Sequence, residues 1–368
     1  MKEFGATSGV LSRASEENPA ARGELPGWER AGDYTFMRVI EEPGLLGPRF
    51  ASLLTSIGDA EASRLCFMDT ETTGLSTGAG AMVFLFGIGV PDGDRLSIRQ
   101  IFLSDFPGES EFLKQIQHSL PADPIYVTYN GSTFDLPLLK SRFAMNRQEL
   151  HVPLQLDLLH VARRFWQRRI GPCGLSDVER AILGLYRVGD VSGAEVPELY
   201  FEYLRSGDFN LLAPLFEHHL RDVSSLQRLF VHCEEQLAEP LRAEIDHARV
   251  GRWLLRRGDS AGLDLLDHAF GNGDSRAGIE LAAALRRSGD RHAAVQIWQQ
   301  LWLSDRDVAA GVELAKQLEH RDRNFTRALQ LVESMLHDPR TAKAPPGRAY
   351  GRQALAKRRD RLLRRCRT

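Results

Sequence analysis

Apolar runs of strand length alternate with helically spaced apolar positions in the first half of this chain. A short continuous run predicts a buried strand, whereas apolar residues three and four positions apart predict a helix. Strands are predicted at 65–68, 82–90, 96–103, 125–129 and 154–156, and helices at 109–120, 134–145 and from 157 to about 166. An Asp-Gly turn at 92–93 joins the second strand to the third as a hairpin. The pattern predicts an α/β fold with a mixed five-stranded sheet flanked by helices.

From residue 175 onward the apolar spacing is helical, and between 241 and 337 it is also repetitive. The segment Gly278-Ile-Glu-Leu281 returns as Gly311-Val-Glu-Leu314, a spacing of 33 positions (311 − 278). A period of this length with paired helices is typical of tetratricopeptide-like repeats, in which each unit buries its apolar face against its neighbours. We therefore expect an all-α helical-repeat domain over residues 241–337.

Composition changes at both ends of the chain. Residues 1–32 are rich in Gly, Ser, Ala, Glu and Pro, which predicts a flexible leader. Residues 33–61 form a flanking segment that we expect at the edge of the main domain, which spans 62–237. Residues 338–368 form a basic tail, with eleven Lys or Arg against one acid from position 340 onward. Such a tail either attracts phosphates or keeps the protein soluble, and the sequence leaves both roles open.

The bulk composition is that of an ordinary globular protein. Of 368 residues, 43% are hydrophobic and 26% charged, and the formal net charge of −2 leaves nucleic-acid binding to local basic patches. The four cysteines show no C-x-x-C pairing, which argues against a zinc site or a disulfide framework and favours a reducing compartment. The longest apolar run, 81–90, is too short to span a bilayer, and residues 1–30 lack a signal-peptide core. We expect a cytoplasmic protein without a membrane partner.

Two acids, Asp69 and Glu71, directly follow the first predicted strand. Side chains on a strand alternate between faces, so positions i and i+2 aim both carboxylates at one spot. Two like charges held so close are costly unless a cation lies between them, and oxygen ligands favour Mg²⁺ or Mn²⁺. A solvated Asp69, with Glu71 capping the following turn, is the alternative.

A third acid, Asp135, is placed by the segment that follows the fourth predicted strand. Asn130 and Gly131 turn the chain there, and Asp135 falls in the first turn of the next helix. Its carboxylate would add a further oxygen ligand to a metal site. The helix dipole favours an acid at this position even without metal, which is the alternative.

The segment Glu217-His-His-Leu-Arg-Asp222 supplies the remaining candidates. On a helix, His218 and Asp222 lie four positions apart and share a face. Asp222 would complete the set of carboxylates, and His218 would serve as the proton acceptor for the attacking water, because histidine titrates near neutrality. In isolation this pair is more typical of an exposed helix surface, but the other two motifs favour the catalytic role.

Together the three segments resemble the exonuclease motifs of the DEDD superfamily of ribonuclease H-like 3′–5′ exonucleases, and within it the YprB-like group. The resemblance extends over about residues 62–237, with the helical repeats as an accessory. Further matching text lies at 173–175, 181–184, 191–197 and 218–226. The resemblance implies a ribonuclease H-like sheet, followed here by the all-α domain.

The resemblance also implies roles for individual residues. It places the four metal ligands at Asp69, Glu71, Asp135 and Asp222, and a catalytic residue, Tyr or His in the family, at His218. Asn130 matches the asparagine ahead of the second acid in the family. One large branch places its histidine five residues before the last acid, where this chain has Glu217; the four-residue spacing of His218 and Asp222 is instead that of the branch that usually has tyrosine. His219 competes with His218 but faces about 100° away on the same helix.

The implied mechanism is hydrolysis of nucleic-acid phosphodiester bonds with two Mg²⁺ or Mn²⁺ ions, which clamp the attacking and leaving oxygens. No Ser or Cys stands in a setting that would make it a nucleophile. Small residues after Glu71 would approach a terminal nucleotide, because Gly allows close backbone contact. The candidate substrate-binding residues are Thr72, Thr73, Gly74, Leu75, Asn130, Arg163 and Arg164.

The two arginines belong to a basic stretch that also contains Arg168, Arg169, Phe165 and Trp166. Arginines and aromatic residues together suit backbone phosphates and stacked bases of single-stranded DNA or RNA. An amphipathic helix with buried aromatics is the alternative. Asp157 ends the fifth predicted strand, and we expect it to cap the next helix rather than to bind metal.

Two other functions stay open at this point. A structure-selective endonuclease would use the same metals, and a non-catalytic binding platform would act through the helical repeats. Stacked helical hairpins form concave surfaces that suit a protein partner. The retained set of four acids argues against the platform, because such a set is costly where no metal binds.

Overall fold

The computed structural model describes residues 25–46, 53–54, 64–74, 80–342 and 350–367. The chain divides into two compact units, Met1–Ala238 and Glu239–Thr368. The domain limits expected from the sequence, 62–237 and 241–337, stay predictions. None of the helices in the described ranges is both long and apolar enough to cross a membrane.

The first unit is built on a seven-stranded mixed sheet with the order β1-β2-β5-β4-β3-β6-β7. The first five strands in that order pair antiparallel, whereas β3, β6 and β7 run parallel. The five predicted strands are present as β3 to β7, so the ribonuclease H-like arrangement is confirmed. The strands are β1 (Glu29–Arg30), β2 (Thr35–Pro43), β3 (Leu65–Thr72), β4 (Val83–Asp92), β5 (Arg95–Leu103), β6 (Ile125–Thr128) and β7 (Leu154–Asp157).

The sheet has two strands more than the five predicted, because the N-terminal segment joins its edge. β2 pairs with β5 along its whole length, from Thr35 opposite Leu103 to Pro43 opposite Arg95. Within the predicted leader, Leu25 is buried and the Trp28 ring packs on the core, so residues 25–32 belong to the fold, whereas residues 1–24 lie outside the described residues. The alternation of apolar residues in β2 is too irregular to predict a strand, and pairing with the free edge of β5 decides its structure.

Helices cover both faces of this sheet. The helix α6 crosses it and contacts β3, β4 and β5, while α5 buries Tyr200 and Tyr203 against it. Both tyrosine hydroxyls donate to backbone carbonyls at the end of β5, those of Leu103 and Ser104. The helices are α1 (Glu109–Ser119), α2 (Asp135–Met145), α3 (Leu158–Ile170), α4 (Leu175–Val178), α5 (Val196–Ser206) and α6 (Ala213–Ala238), and a π-helical turn spans Glu179–Leu183.

The second unit is entirely helical over its described residues, as predicted, and each long helix packs on the next one in the sequence. Both repeated glycines mark close helix crossings: a Cβ at Gly278 would lie 2.5 Å from the Phe270 ring, and one at Gly311 would lie 2.7 Å from Met335 Sδ. The tetratricopeptide assignment itself stays a prediction. The helices are α7 (His247–Arg256), α8 (Ala261–Gly271), α9 (Ser275–Ser288), α10 (Arg291–Asp305), α11 (Val308–His320), α12 (Phe325–Leu336), α13 (Pro339–Ala342) and α14 (Arg352–Cys366).

Part of the predicted basic tail is a packed helix. In α14, Leu355 and Leu362 are fully buried in the core of the second unit. The buried carboxylate of Glu319 accepts from Arg358 and Arg361, each at 2.7 Å. Residues 350–367 therefore cover the last helical pair, as a terminal cap does in repeat proteins, and do not act only as a solubilising tail.

Candidate metal centre

The strand β3 lies at the centre of the sheet and carries the first two acids. Residues 65–68 are fully buried, and the strand pairs antiparallel with β4 and parallel with β6. Asp69 and Glu71 follow on the same face, and the register with β4 shifts by a bulge directly after Glu71. A bulge re-aims the side chains beside it and is common near active sites. The pairing of β3 and the bulge therefore fix the position of both carboxylates at the end of the buried part of the strand.

The helix α2 brings the third acid to the end of β3. Asp135 is the first residue of α2, and its carboxylate Oδ1 accepts a hydrogen bond from Thr70 Oγ1 at 2.5 Å. Thr70 lies between Asp69 and Glu71 on the strand. The segment predicted to place Asp135 near the first motif does so.

The helix α6 brings the remaining candidates to the same spot. His218 Nε2 lies 3.7 Å from Glu71 Oε1 and 3.5 Å from Asp222 Oδ2. One ligand atom from each of Glu71, His218 and Asp222 can be chosen so that all three lie within 4.8 Å of one another. These three ligand atoms come from β3 and α6; Asp69 and Asp135 are not in this group of three, and Asp135 is held at β3 by its hydrogen bond with Thr70.

Burial raises the pKa of all four carboxylates in this site, and the charges of the neighbouring acids raise the pKa of Asp69 and Glu71 further. Burial is the largest cause for Asp69, whose pKa lies well above its ordinary value, and the charges of Asp222, Asp135 and Glu71 add to it. Burial and the charges of Asp222 and Asp135 raise the pKa of Glu71 to about 8. Burial raises the pKa of Asp135 to about 6, and it also raises the pKa of Asp222. Four crowded carboxylates of this kind fit hard divalent cations, which take oxygen ligands and supply the missing positive charge.

These raised values predict how the metal-free protein responds to pH. Glu71 and Asp135 keep their protons in the folded protein at pH values where the unfolded chain releases them. Their contribution to the free energy of unfolding is therefore fully present below about pH 4 and is lost as the pH rises through about 6 and then 8. In EDTA, the melting temperature should fall as the pH rises over this range. Glu71→Gln should make the fall between pH 6 and pH 8 smaller. A melting temperature that rises between pH 6 and 8 would contradict the account.

Arg187 neutralises part of the site, and the sequence analysis did not find it. Its guanidinium donates two hydrogen bonds of 2.6 Å to the buried carboxylate of Glu179 and a further one to Asp222 Oδ1. Its neighbours Tyr186 and Val188 are 75% and 89% exposed, whereas Arg187 points inward. Burial alone would lower the pKa of Arg187, but these acids outweigh burial and raise it.

Asp190 is the second residue that the sequence analysis missed. Its carboxylate accepts from His218 Nδ1 at 2.9 Å and from Arg187 Nη1 at 2.9 Å. Burial would raise the pKa of Asp190, but these two bonds hold it below its ordinary value. With a proton on Nδ1, His218 turns its free Nε2 towards Glu71 and Asp222. A local signal for this pairing does not exist, because 28 residues separate Asp190 from His218.

His219 supports the site from behind. It is fully buried, accepts from Gln100 Nε2 on Nδ1 at 2.8 Å, and donates from Nε2 to the Asp69 carbonyl at 3.2 Å. Burial lowers the pKa of His219 to about 3, so the ring stays neutral. His219 therefore fixes the backbone of the first acid, and its Nε2 also lies 3.8 Å from Asp69 Oδ2, whereas His218 is the histidine beside Glu71 and Asp222.

Gly87 leaves room for that buried histidine. It pairs with Asp69 across the sheet, and a Cβ added to it would lie 2.4 Å from His219 Cε1 and 2.7 Å from Val223 Cγ2. We expect Gly87→Ala to lower the free energy of unfolding by about 1–3 kcal/mol, the usual cost of overpacking. Gly193→Ala is the matched control, because a Cβ there meets nothing within 4 Å. Urea unfolding curves of the two variants compare them, and equal stabilities would contradict the packing argument.

Comparisons with known proteins agree with this geometry. A family model described as RNase_H superfamily matches residues 66–234. The chain is also 32% identical over 329 residues to a Bacillus subtilis (strain 168) protein named uncharacterized protein YprB, a match that covers 86% of this chain and 79% of that protein. The chain belongs to the ribonuclease H superfamily. The predicted resemblance to the YprB-like group is confirmed.

Membership of the ribonuclease H superfamily gives the first unit its general character. It is a nuclease domain of this superfamily, whose nucleases act on nucleic acids and use divalent metal ions. The acidic cluster of Glu71, His218 and Asp222 lies within the matched residues 66–234.

Three of the four predicted substrate-binding residues that follow Glu71 lie in the described part of the chain. Thr72 Oγ1 donates to the Gly74 carbonyl at 2.8 Å, and Thr73 forms two hydrogen bonds with the backbone of Met82. Among the residues that the structure describes, nothing lies within 4 Å of a Cβ added to Gly74. Leu75 lies outside the described residues.

Asn130 has a structural role at the end of β6. It takes the left-handed conformation, with φ +65°, and its side-chain oxygen accepts from Thr133 Oγ1 at 2.8 Å. The carboxylate of Asp157 accepts from the backbone N–H groups of Asn130, Ser132 and Leu159. Asp157 thus caps α3, as the sequence predicted. It also holds the loop ahead of Asp135.

The basic stretch on α3 is only partly available to substrate. Phe165 and Trp166 are each 1% exposed, so the suggestion that they stack on bases is wrong. They fill the core because α3 packs this face against α6. Arg163 is exposed, and its charge reaches Tyr129, which follows β6, while Arg164 is half-buried.

Proposed function

We propose that this protein is a metal-dependent 3′–5′ exonuclease that acts on nucleic acid. The observation that carries the proposal is the convergence of Asp69, Glu71, Asp135 and Asp222 with His218 at the end of the central strand. The direction of cleavage comes from the resemblance to the DEDD exonucleases, whose motif residues these are. Membership of the ribonuclease H superfamily supports the nuclease chemistry.

The four carboxylates would hold two Mg²⁺ or Mn²⁺ ions. When bound, the ions would activate the attacking water and stabilise the leaving 3′-oxygen of an in-line displacement. Within the described part of the chain, nothing lies within 4 Å of a Cβ added to Gly74, which supports an approach of the terminal nucleotide to this backbone.

His218 is suited to take the proton from the attacking water. Its Nδ1 is engaged by Asp190 at 2.9 Å, so the lone pair of Nε2 faces Glu71 and Asp222. A base of this kind must reach the proton that it abstracts, directly or through one water. Asp190 acts as a positioning residue, because its carboxylate selects the tautomer and fixes the ring.

Labelled oligonucleotides and circular DNA test the direction of cleavage. With Mn²⁺, a 5′-labelled single strand should shorten stepwise, and a 3′-labelled strand should release labelled mononucleotide from the first time point. A circular single strand should stay intact, because it has no 3′ end. Cleavage of the circle would favour an endonuclease, and immediate release of the 5′ label would reverse the assigned direction.

A further inference from the structure

A basic groove lies on the second unit, between the carboxyl-terminal ends of α9 and α11 and the start of α10. Its volume is about 410 Å³, and the ring of the buried Trp298 forms part of its wall. Five arginine and lysine side chains line it against a single acid, Glu313. The basic residues are Arg286, Arg287, Arg291, Lys316 and Arg321.

The single acid is already engaged. Glu313 Oε2 accepts from Arg286 Nη1 at 2.7 Å, and Glu313 Oε1 accepts from Lys316 Nζ at 2.5 Å. Across the described part of the chain, no carboxylate lies within ion-pair distance of Arg287, Arg291 or Arg321, all of which are exposed. The groove therefore carries an excess of about three to four positive charges that the described residues leave uncompensated.

The helix dipole explains some of these basic residues one at a time, but it does not explain why they share one surface. An arginine or lysine in the last turn of a helix is favoured by the helix dipole, which explains Arg286, Arg287 or Lys316 taken alone. Arg291, however, begins α10, where the same dipole disfavours a cation. The helical repeat brings the ends of α9 and α11 side by side, so that their cations and Arg291 share one concave surface.

We infer that this groove binds the phosphate backbone of a single nucleic-acid strand. The inference rests on the proposed nuclease function and extends it, since it assigns the helical unit to substrate rather than to a protein partner. Unpaired, exposed cations around a concave surface suit a polyanion with regularly spaced charges. The indole of Trp298 is only 4% exposed, so we expect phosphate contacts and little base stacking.

The salt dependence of binding tests this inference in the full-length protein. Fluorescein-labelled oligothymidylate and oligouridylate are titrated in EDTA, where binding is measured without hydrolysis. Each phosphate contact to a single strand adds about 0.7 to the slope of log K against log salt, so the triple variant R287Q/R291Q/R321Q should reduce this slope by about 2. The plots of log K against log salt for wild type and for the triple variant converge near 1 M salt. Near 0.1 M salt, the affinity of the triple variant should therefore be roughly 100-fold lower than that of wild type.

A second triple variant, R242Q/R256Q/R276Q, is the matched control. It removes the same charge from exposed positions of the second unit outside the groove, and its affinity should stay within about twofold of wild type, as a screened distant charge implies. Circular dichroism verifies that both variants are folded. Equal losses of affinity in the two variants would show that the attraction is non-specific. No loss of affinity in either variant would favour an acidic protein as the partner of the groove. Either outcome overturns the inference. The nuclease assay is independent of both, so a failed groove would leave the proposed function standing.

Discussion

Replacing Asp69 with asparagine should make the metal-free protein more stable at pH 8, although it removes a central residue of the site. The Asp69 side chain is only 20% exposed and lies beside three other acids, and its pKa is well above the ordinary value. An amide of the same shape removes the like charge, which should raise the free energy of unfolding by roughly 1–3 kcal/mol, the cost of a buried group without a partner. Urea unfolding in EDTA measures this change.

Metal should reverse the order of stability. Wild type should gain about 2.7 kcal/mol when Mn²⁺ is present at 100 times its dissociation constant, whereas Asp69→Asn should gain little. Asp94→Asn, in the exposed β4–β5 turn, is the matched control and should behave like wild type. An Asp69→Asn protein that is less stable than wild type in EDTA and is still stabilised by Mn²⁺ would show that the carboxylates do not form a metal site.

Replacing Arg187 with glutamine should destabilise the first unit by about 3–5 kcal/mol, because it leaves buried charge without its partner. The Glu179 carboxylate is 2% exposed and receives both of its charged hydrogen bonds from Arg187. Asp222 and Asp190 lose a donor at the same time. Thermal and urea unfolding at neutral pH measure the loss.

Two further variants separate the charge effect from a general loss of packing. The double variant Arg187→Gln with Glu179→Gln should recover much of the lost stability, since the buried charge is then gone. Arg180→Gln breaks only an exposed ion pair with Asp177 and should change the free energy of unfolding by less than about 1 kcal/mol. A double variant that is no more stable than Arg187→Gln would contradict the role assigned to this arginine.

The parts of the fold that repeat a local pattern could be predicted from the sequence. The strands β3 to β7 have continuous or alternating apolar residues, and the helices of the second unit have a 33-residue period. By contrast, β2 depends on pairing with β5, and the packing of α14 depends on Leu355 and Leu362 within a basic segment. Tertiary contacts decide these elements, and a single sequence carries little trace of them.

The acids of the site could be predicted because each stands at a recognisable local position. Asp69 and Glu71 end a buried strand, and Asp135 begins a helix. Arg187 and Asp190 lie in an irregular loop, and their partners are up to 35 residues away in the sequence, so no spacing rule identifies them. The same limit hid the role of His219, which depends on Gln100 from another strand.

The most direct test of the account is hydrolysis of single-stranded DNA and RNA by wild type and by Asp69→Asn, with Mg²⁺, with Mn²⁺ and with EDTA. We expect wild type to degrade at least one of the two nucleic acids with metal and neither in EDTA. Asp69→Asn should lose more than about 100-fold, since even groups that only support a metal ligand cost 10–100-fold. Equal metal-dependent activity in wild type and Asp69→Asn, or hydrolysis that persists in EDTA, would contradict the central claim.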